Sequence, residues 1–351
     1  MIAAIRRQQR AARRFIGLCA WLTAAAVFSP IGLHAQGYAV TNLVADLPGA
    51  LNQDTNLVNA WGLVVLPKNL LLVNANENSI AGFYGTDGTP GGVYIGVDSA
   101  PSGLVLNPGG GFKIPDGQMM RPSTLIFVTE AGGILGWNER SSDSNAFLAV
   151  DNSIFDAVYK GVAILNNRLF AADFKGGFID VYDSRWNWLG SFSDSHVDAG
   201  FGPFNVAAID GLLYVTFAKR LAPDFEDDEA GPGNGFVDVF TANGRFVRRL
   251  VSHGALNSPW GIVKAPAHFG KFSNALLVGN FGDGLINAYS IKTGAFLGAV
   301  SDSEDTPIVL DGLWALDFGT TKVNKKMVPT LFFSAGPNGE NDGVVGKITA
   351  N

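Results

Sequence analysis

One phrase recurs six times along the chain, and that recurrence limits the fold more than any other feature. It reads NAWGLVVLP from Asn59, APSGLVLNP from Ala100, YKGVAILNN from Tyr159, GPFNVAAID from Gly202, SPWGIVKAP from Ser258 and DGLWALDFG from Asp311. A second apolar run follows each copy: NLLLVNA, STLIFVTE, RLFAADF, GLLYVTFA, NALLVGNF and TLFFSAG. A glycine-bearing turn then leads to a third: SIAGFYG, GGILGWN, GGFIDVYD, NGFVDVFT, GLINAYS and GVVGKIT. Trp61 and Trp314 hold one place in the first and last copies, which sets a period of about 51 residues, near that of propeller blades.

Short runs bounded by Gly, Asn, Asp or Pro suit strands rather than helices. The third runs alternate, with Ile179 and Val181 against Asp180, and Val237 and Val239 against Asp238. The first runs are uniformly apolar and small, as fits strands covered on both faces near an axis. With 44 Gly and 25 Phe but only 16% charged residues, the composition suits many short strands joined by tight turns. A hydrophobic content of 47% excludes disorder. Copies one to five leave sequence for a fourth strand, such as GRFVRRLV and GAFLGAV; the sixth ends at GKITAN and lacks one. The segment YAVTNLVADL from Tyr38 has no partner among the copies. The expectation is an all-β, six-bladed β-propeller over residues 36–351, its ring closed by an N-terminal strand that completes the last blade and removes two open edges.

Residues 1–35 are a different material. They open on MIAAIRRQQRAARR, continue with the apolar run Phe15 to Phe28, and reach Pro30 and a small-residue cleavage site at Ala35. That is the plan of a secretory signal peptide. The run is short for a membrane span, and no second one follows. Sec and Tat export both remain open. Removal of the segment takes away five arginines, no acid and Cys19, the only cysteine. The formal net charge then moves from −6 to −11. An exported, periplasmic or extracellular chain of this kind has no disulfide or thiol chemistry and is a poor partner for nucleic acid.

These blade phrases loosely resemble the NHL and SMP-30/gluconolactonase-like six-bladed propellers. More closely, and over essentially the whole mature chain, the sequence resembles a family of exported bacterial proteins without an assigned activity, some carrying a PEP-CTERM sorting tail. The matching words are NLVNAWGL, FVTEAGGILGWN, FNVAAIDGLLYVTFAK, GPGNGFVDVF, SPWGIVKAPAHFGKFSNALLVGNFGDGLINAY and LFFSAGPNGENDG. The sequence departs from that family in stopping at Asn351 without the tail, so anchoring by that route is not implied. It also reads VNANEN in the first blade, where relatives tend to carry an acid. The resemblance implies the fold and leaves the activity open.

In a propeller, the starts of the innermost strands and the turns after the second strands share one face around the channel mouth. That rule gathers Asn74, Glu130, Asp173 and Asn280 from second-strand ends, with Asn59, Lys160, Asn205, Asn257 and Asp311 from first-strand starts. Carboxylates and amides without histidine are the donor set that Ca²⁺ or Mg²⁺ prefers, with Glu130, Asp173 and Asn280 as the ligands. A carboxylate beside such an ion could activate water against an ester or lactone, as the SMP-30-like resemblance implies. The same residues also serve as caps of strand ends and turns. The acidic loop KRLAPDFEDDEAGPGNG offers a second cation set in Asp224, Glu226, Asp227 and Asp228, or is a solvated loop. Trp61, Trp260 and Trp314 either line a site for ring stacking or fill the gaps near the axis; Gly after Trp favours the second. His196, His253 and His268 lack zinc spacing, and no G-x-S-x-G elbow or Walker lysine motif occurs.

Three functions stand after this reading. The first is a scaffold that binds a small molecule, glycan or protein at the channel face. The second is a Ca²⁺- or Mg²⁺-assisted lactonase or esterase. The third is an envelope- or matrix-associated structural protein.

Overall fold

The computed structural model describes residues 37–141, 143–323 and 326–351; the signal-peptide expectation for residues 1–35 lies outside them. Six sheets are arranged as a six-bladed propeller. Blades one and three to five are four-stranded meanders whose strands pair in chain order. Their innermost strands are Ala60–Leu66, Tyr159–Leu165, Phe201–Ile209 and Pro259–Lys264. The second blade starts at Pro101–Leu106 and carries an inserted hairpin, Lys113–Asp116 with Met119–Pro122, before its second strand Leu125–Thr129. The sixth starts at Leu313–Val323.

The last blade is completed from the other end of the chain. Tyr38–Ala45 pairs antiparallel with Val344–Ala350, from Tyr38 opposite Ala350 to Ala45 opposite Val344. Leu43 and Val44 are fully buried, and the Tyr38 ring stacks on Phe272 while its hydroxyl donates to the Phe269 carbonyl at 3.0 Å. The ring is therefore closed by hydrogen bonds between the two ends, as the unpaired segment required.

The core is a set of partitions between neighbouring blades. Leu72, Ile95, Leu104 and Phe127 fill the first partition, and Phe170, Val215 and Phe236 fill the one between the third and fourth blades. Because neighbours cover both faces of a blade, the polar side of each alternating strand is buried too. Asp180 and Asp238 are 5% and 0% exposed, so each needs internal partners. Asp238 takes Arg249, which also binds Asp194 at 2.9 Å.

At the axis, the pairing of the innermost strand with the second breaks register in all six blades. Such bulges re-aim a side chain. The residues at or beside them are Trp61, Ser102, Lys160, Phe204, Trp260 and Trp314. The next position is where neighbouring strands come closest. A Cβ on Gly103 would stand 2.9 Å from the Gly161 Cα, and one on Gly261 would stand 2.7 Å from the Trp314 carbonyl oxygen. Glycine at this place in four of the six blades, Gly62, Gly103, Gly161 and Gly261, is what lets the strands crowd around one axis.

Candidate functional site

The axial aromatics close on one another. Trp61 stacks on Trp314 at 3.7 Å between ring centroids, Phe281 stacks on the other side at 4.0 Å, and Trp260 and Phe204 meet Trp314 edge-on. The three tryptophans are 2–5% exposed. They fill the axis, and their faces are taken by each other, so the alternative of an open stacking platform is not what the sequence builds. Beyond this plug lies a channel cavity of about 330 Å³, walled by residues such as Leu104, Val105, Ile164, Ala207 and Leu316.

Asp317 also lines that cavity. Burial raises its carboxyl to about 6, against the opposing pull of the Val65 and Phe318 backbone N–H groups. The folded chain thus holds this proton more tightly than the unfolded chain does. The associated stability is complete below pH 4 and is lost as pH rises through 6, a change of about 3 kcal/mol. Asp317→Asn should flatten the dependence of urea unfolding free energy on pH between 4.5 and 7 by an amount of that order; an unaltered slope would clear Asp317 of it.

On the other side of the plug is the channel mouth. Lys160 occupies an axial place where three other blades put tryptophan. Its ammonium lies 5.1 Å from the centre of the Trp61 ring, contacts Glu130, and reaches Asp227 at 3.4 Å. Burial alone would drive its proton off, but the carboxylates of Glu130, Asp227 and Glu340 together outweigh burial and hold the pKa above the usual lysine value. Asn76 donates to the other Glu130 oxygen at 3.0 Å. Asn59 donates to Glu340 at 3.0 Å and accepts from Trp314 Nε1 at 3.1 Å. Burial raises the pKa of Glu340 and of Asp228.

Asp227 arrives on the acidic loop, which crosses the mouth from the fourth blade. Glu226 pairs with Lys175 at 2.8 Å and Glu229 with Lys219 at 2.6 Å, while Gly231 N–H donates to Asn257 Oδ1 at 2.6 Å. Lysines of the third and fourth blades therefore engage three of the loop's five acids. The expected cation set of Asp224, Glu226, Asp227 and Asp228 is not assembled, because Glu226 and Asp227 turn to different lysines and Asp224 is exposed.

Of the nine channel-face residues drawn from sequence, Asn59, Glu130 and Lys160 belong to one hydrogen-bonded and ionic group. The others serve local structure. Asn74 clips the first blade to the Ser102 carbonyl at 2.9 Å, and Asn205 clips the fourth to the Trp260 carbonyl at 3.0 Å. Asn280 binds Ala255 O and Asp283, Asn257 also binds Asp283, and Asp311 accepts from Asn338 N. Asp173 accepts from the N–H groups of Val158 and Gly176. The trio Glu130, Asp173 and Asn280 is thus dispersed as a ligand set: Glu130 turns to Lys160 and Asn76, Asp173 to backbone N–H groups of the third blade, and Asn280 to Ala255 and Asp283. Among the described residues no three His, Cys, Asp or Glu side chains stand at metal-holding spacing. Asn76 and Glu340 are not among the residues drawn from sequence, and Asp228 is drawn only as part of the loop set. Glu340 lies in GPNGENDG, a turn after a second strand, where the same face rule would have found it.

Comparison with known proteins places this fold and site in context. No family model matches the sequence. Uncharacterized protein L690 of Acanthamoeba polyphaga mimivirus is 33% identical over 316 residues, covering 85% of this chain and 82% of that protein. The chain belongs to this protein's family. Uncharacterized protein R648 of the same virus is 30% identical over 312 residues, covering 85% of this chain and 76% of its own length. Among solved structures, an inactive variant of virginiamycin B lyase from Staphylococcus aureus superposes with a TM-score of 0.53 at 11% identity, covering 89% of this chain and 99% of the lyase. A luciferin-regenerating enzyme gives 0.53 at 13% identity, covering 89% and 95%. At such identities the likeness to the two enzymes shows the fold alone. In the present family member, none of His196, His253 and His268 joins the group around Lys160; His196 pairs with Asp194 and His253 contacts the Gly233 carbonyl.

Proposed function

We propose that this family member is an exported binding scaffold that recognises a small molecule, glycan or protein through the face around the channel mouth. The observation that carries the reading is the state of Lys160. It is buried, kept protonated and surrounded by more carboxylates than it can neutralise. A lysine held as ammonium is neither a general base nor an amine nucleophile at neutral pH. Glu130, Asp227 and Glu340 are engaged by Lys160, Asn76 and Asn59, and no three acidic side chains among the described residues stand at metal-holding spacing. What remains is a rigid, net-acidic surface on a plugged axis, which suits recognition. The signal-peptide reading of residues 1–35 and the resemblance to exported bacterial propellers support placement outside the cytoplasm.

The mature chain, residues 36–351, is the material for the test. A lactone and aryl-ester panel should show no turnover above background with Ca²⁺, Mg²⁺ or Zn²⁺, and EDTA should leave Tm unchanged. A panel of glycans, basic peptides and metabolites should contain compounds that raise Tm in wild type and not in Glu340→Gln. Metal-dependent turnover lost in Glu130→Gln would replace the scaffold by a hydrolase.

A further inference from the structure

A second cavity, of about 590 Å³, opens away from the axis, between the third blade and the chain that leads into it from the second. Phe155, Phe178, Tyr182, Trp186 and Trp188 line it, and Asp173 stands among them. Its size is that of a small-molecule site. Phe155 and Trp188 are 75% and 61% exposed, an unusual position for large apolar rings with no partner to cover them.

The hydrogen-bond inventory of the walls is one-sided. Trp188 Nε1 donates to Asp180 at 3.0 Å and Trp186 Nε1 to the Lys113 carbonyl at 2.9 Å. The Ser191 and Tyr159 hydroxyls donate to Asp180 at 2.6 Å each, and the Asn152 amide donates to the Tyr182 oxygen at 2.6 Å. The donors are therefore spent on the protein. Asp180 has both oxygens satisfied. Asp173 does not: its Oδ1 takes the Val158 and Gly176 N–H groups, while Oδ2 has no hydrogen-bond partner among the described residues. Asp173 is only 3% exposed. Arg220, whose charge acts on it, gives its terminal N–H groups to the Lys175 and Ala199 carbonyls at 2.8 Å. Gly176 keeps Oδ2 clear, since a Cβ there would collide with it.

We propose that this cavity is a binding site for a small organic cation with an apolar body, an aryl- or alkyl-ammonium whose N–H groups meet Asp173 Oδ2 while its hydrocarbon lies against the aromatic rings. Such a ligand supplies the two things the cavity lacks, a donor and a positive charge, and the rings add cation–π attraction. A neutral alcohol would leave the carboxylate without a counter-ion. An anion would meet Asp173 and Asp180. A sugar would need free donors as well as acceptors, and the donors of the walls are spent on the protein. Burial, with Asp180 nearby, raises the Asp173 carboxyl to about 6, so it is mostly ionised at neutral pH.

The test is titration of the full mature chain with 2-phenylethylammonium, read by quenching of tryptophan fluorescence at pH 7.5, with 2-phenylethanol as the uncharged counterpart. The ammonium should saturate the signal and the alcohol should bind at least about tenfold more weakly. Asp173→Asn should abolish the preference for charge. Phe155→Ala and Trp188→Ala alter exposed rings and should fold as wild type; calorimetry should show each weakening the ammonium by about three- to thirtyfold. Equal binding of amine and alcohol overturns the proposal. So does absence of saturation at millimolar ammonium, or unchanged affinity in both ring variants.

Discussion

Deletion of residues up to Ala45 should lower the melting temperature by roughly 15 °C or more, because it reopens the ring. The strand Tyr38–Ala45 contributes seven register pairs to the last blade and buries Tyr38, Leu43 and Val44 almost completely. Burial of three such side chains is worth about 5–9 kcal/mol, before the hydrogen bonds are considered. At about 2–4 °C per kcal/mol for a domain of this size or a little smaller, the loss is large on any reading. The deletion also exposes the edge of Val344–Ala350, so the truncated chain should associate at concentrations where the intact one stays monodisperse. Leu43→Asp tests the same closure without exposing a new terminus. A melting temperature within a few degrees of wild type for both variants would mean that the sixth blade holds without its outer strand.

The sequence carried this closure in a simple way: six copies of three runs, five with a fourth, and one orphan segment at the other end. It also carried the crowding at the axis, because Gly after Trp is a statement about backbone approach. A repeat specifies where a residue sits in its own blade. It does not specify what crosses to it from another. Lys160 pairs with Glu130 of the preceding blade and with Asp227 of the following one, and neither partner is fixed by the period. The acidic loop looked like a cation loop because five acids lie within six residues, Asp224 to Glu229. What decides its chemistry is Lys160, Lys175 and Lys219, supplied from distant strands. Asp180 and Asp238 show the same limit from another side. Alternation suggests one polar face, but in a propeller the next blade covers that face, and a polar residue there becomes a buried one with partners of its own. The axial bulges were invisible in composition and period alike, and it is they that turn Lys160 into the mouth.

Replacing Lys160 by methionine should destabilise the protein by about 3 kcal/mol at pH 7, the low end of the cost of breaking a buried pair, because Glu130 and Glu340 are only half-buried and Asp227 is exposed. Methionine keeps most of the stem that packs on Trp61, so the loss reports charge more than volume. Glu130, which contacts the ammonium, would retain only the Asn76 amide, and Glu340 only the Asn59 amide. The penalty has a sign in pH. Lys160 opposes the burial that raises the Glu340 carboxyl, so without the ammonium that carboxyl rises further, acidification neutralises it, and the variant should lie closer to wild type at pH 5 than at pH 7. Adding Glu130→Gln to Lys160→Met should recover more than half of the loss at pH 7, since the double variant no longer holds the charge nearest the vacated place. Urea unfolding at pH 5 and pH 7 for the two single variants and the double variant measures all of this. A cost at pH 7 under 1 kcal/mol, or no coupling between the two substitutions, would mean that the mouth is not organised around a fixed ammonium. The scaffold reading would then lose its support, because a lysine whose charge the fold can spare is free to deprotonate and act as a base.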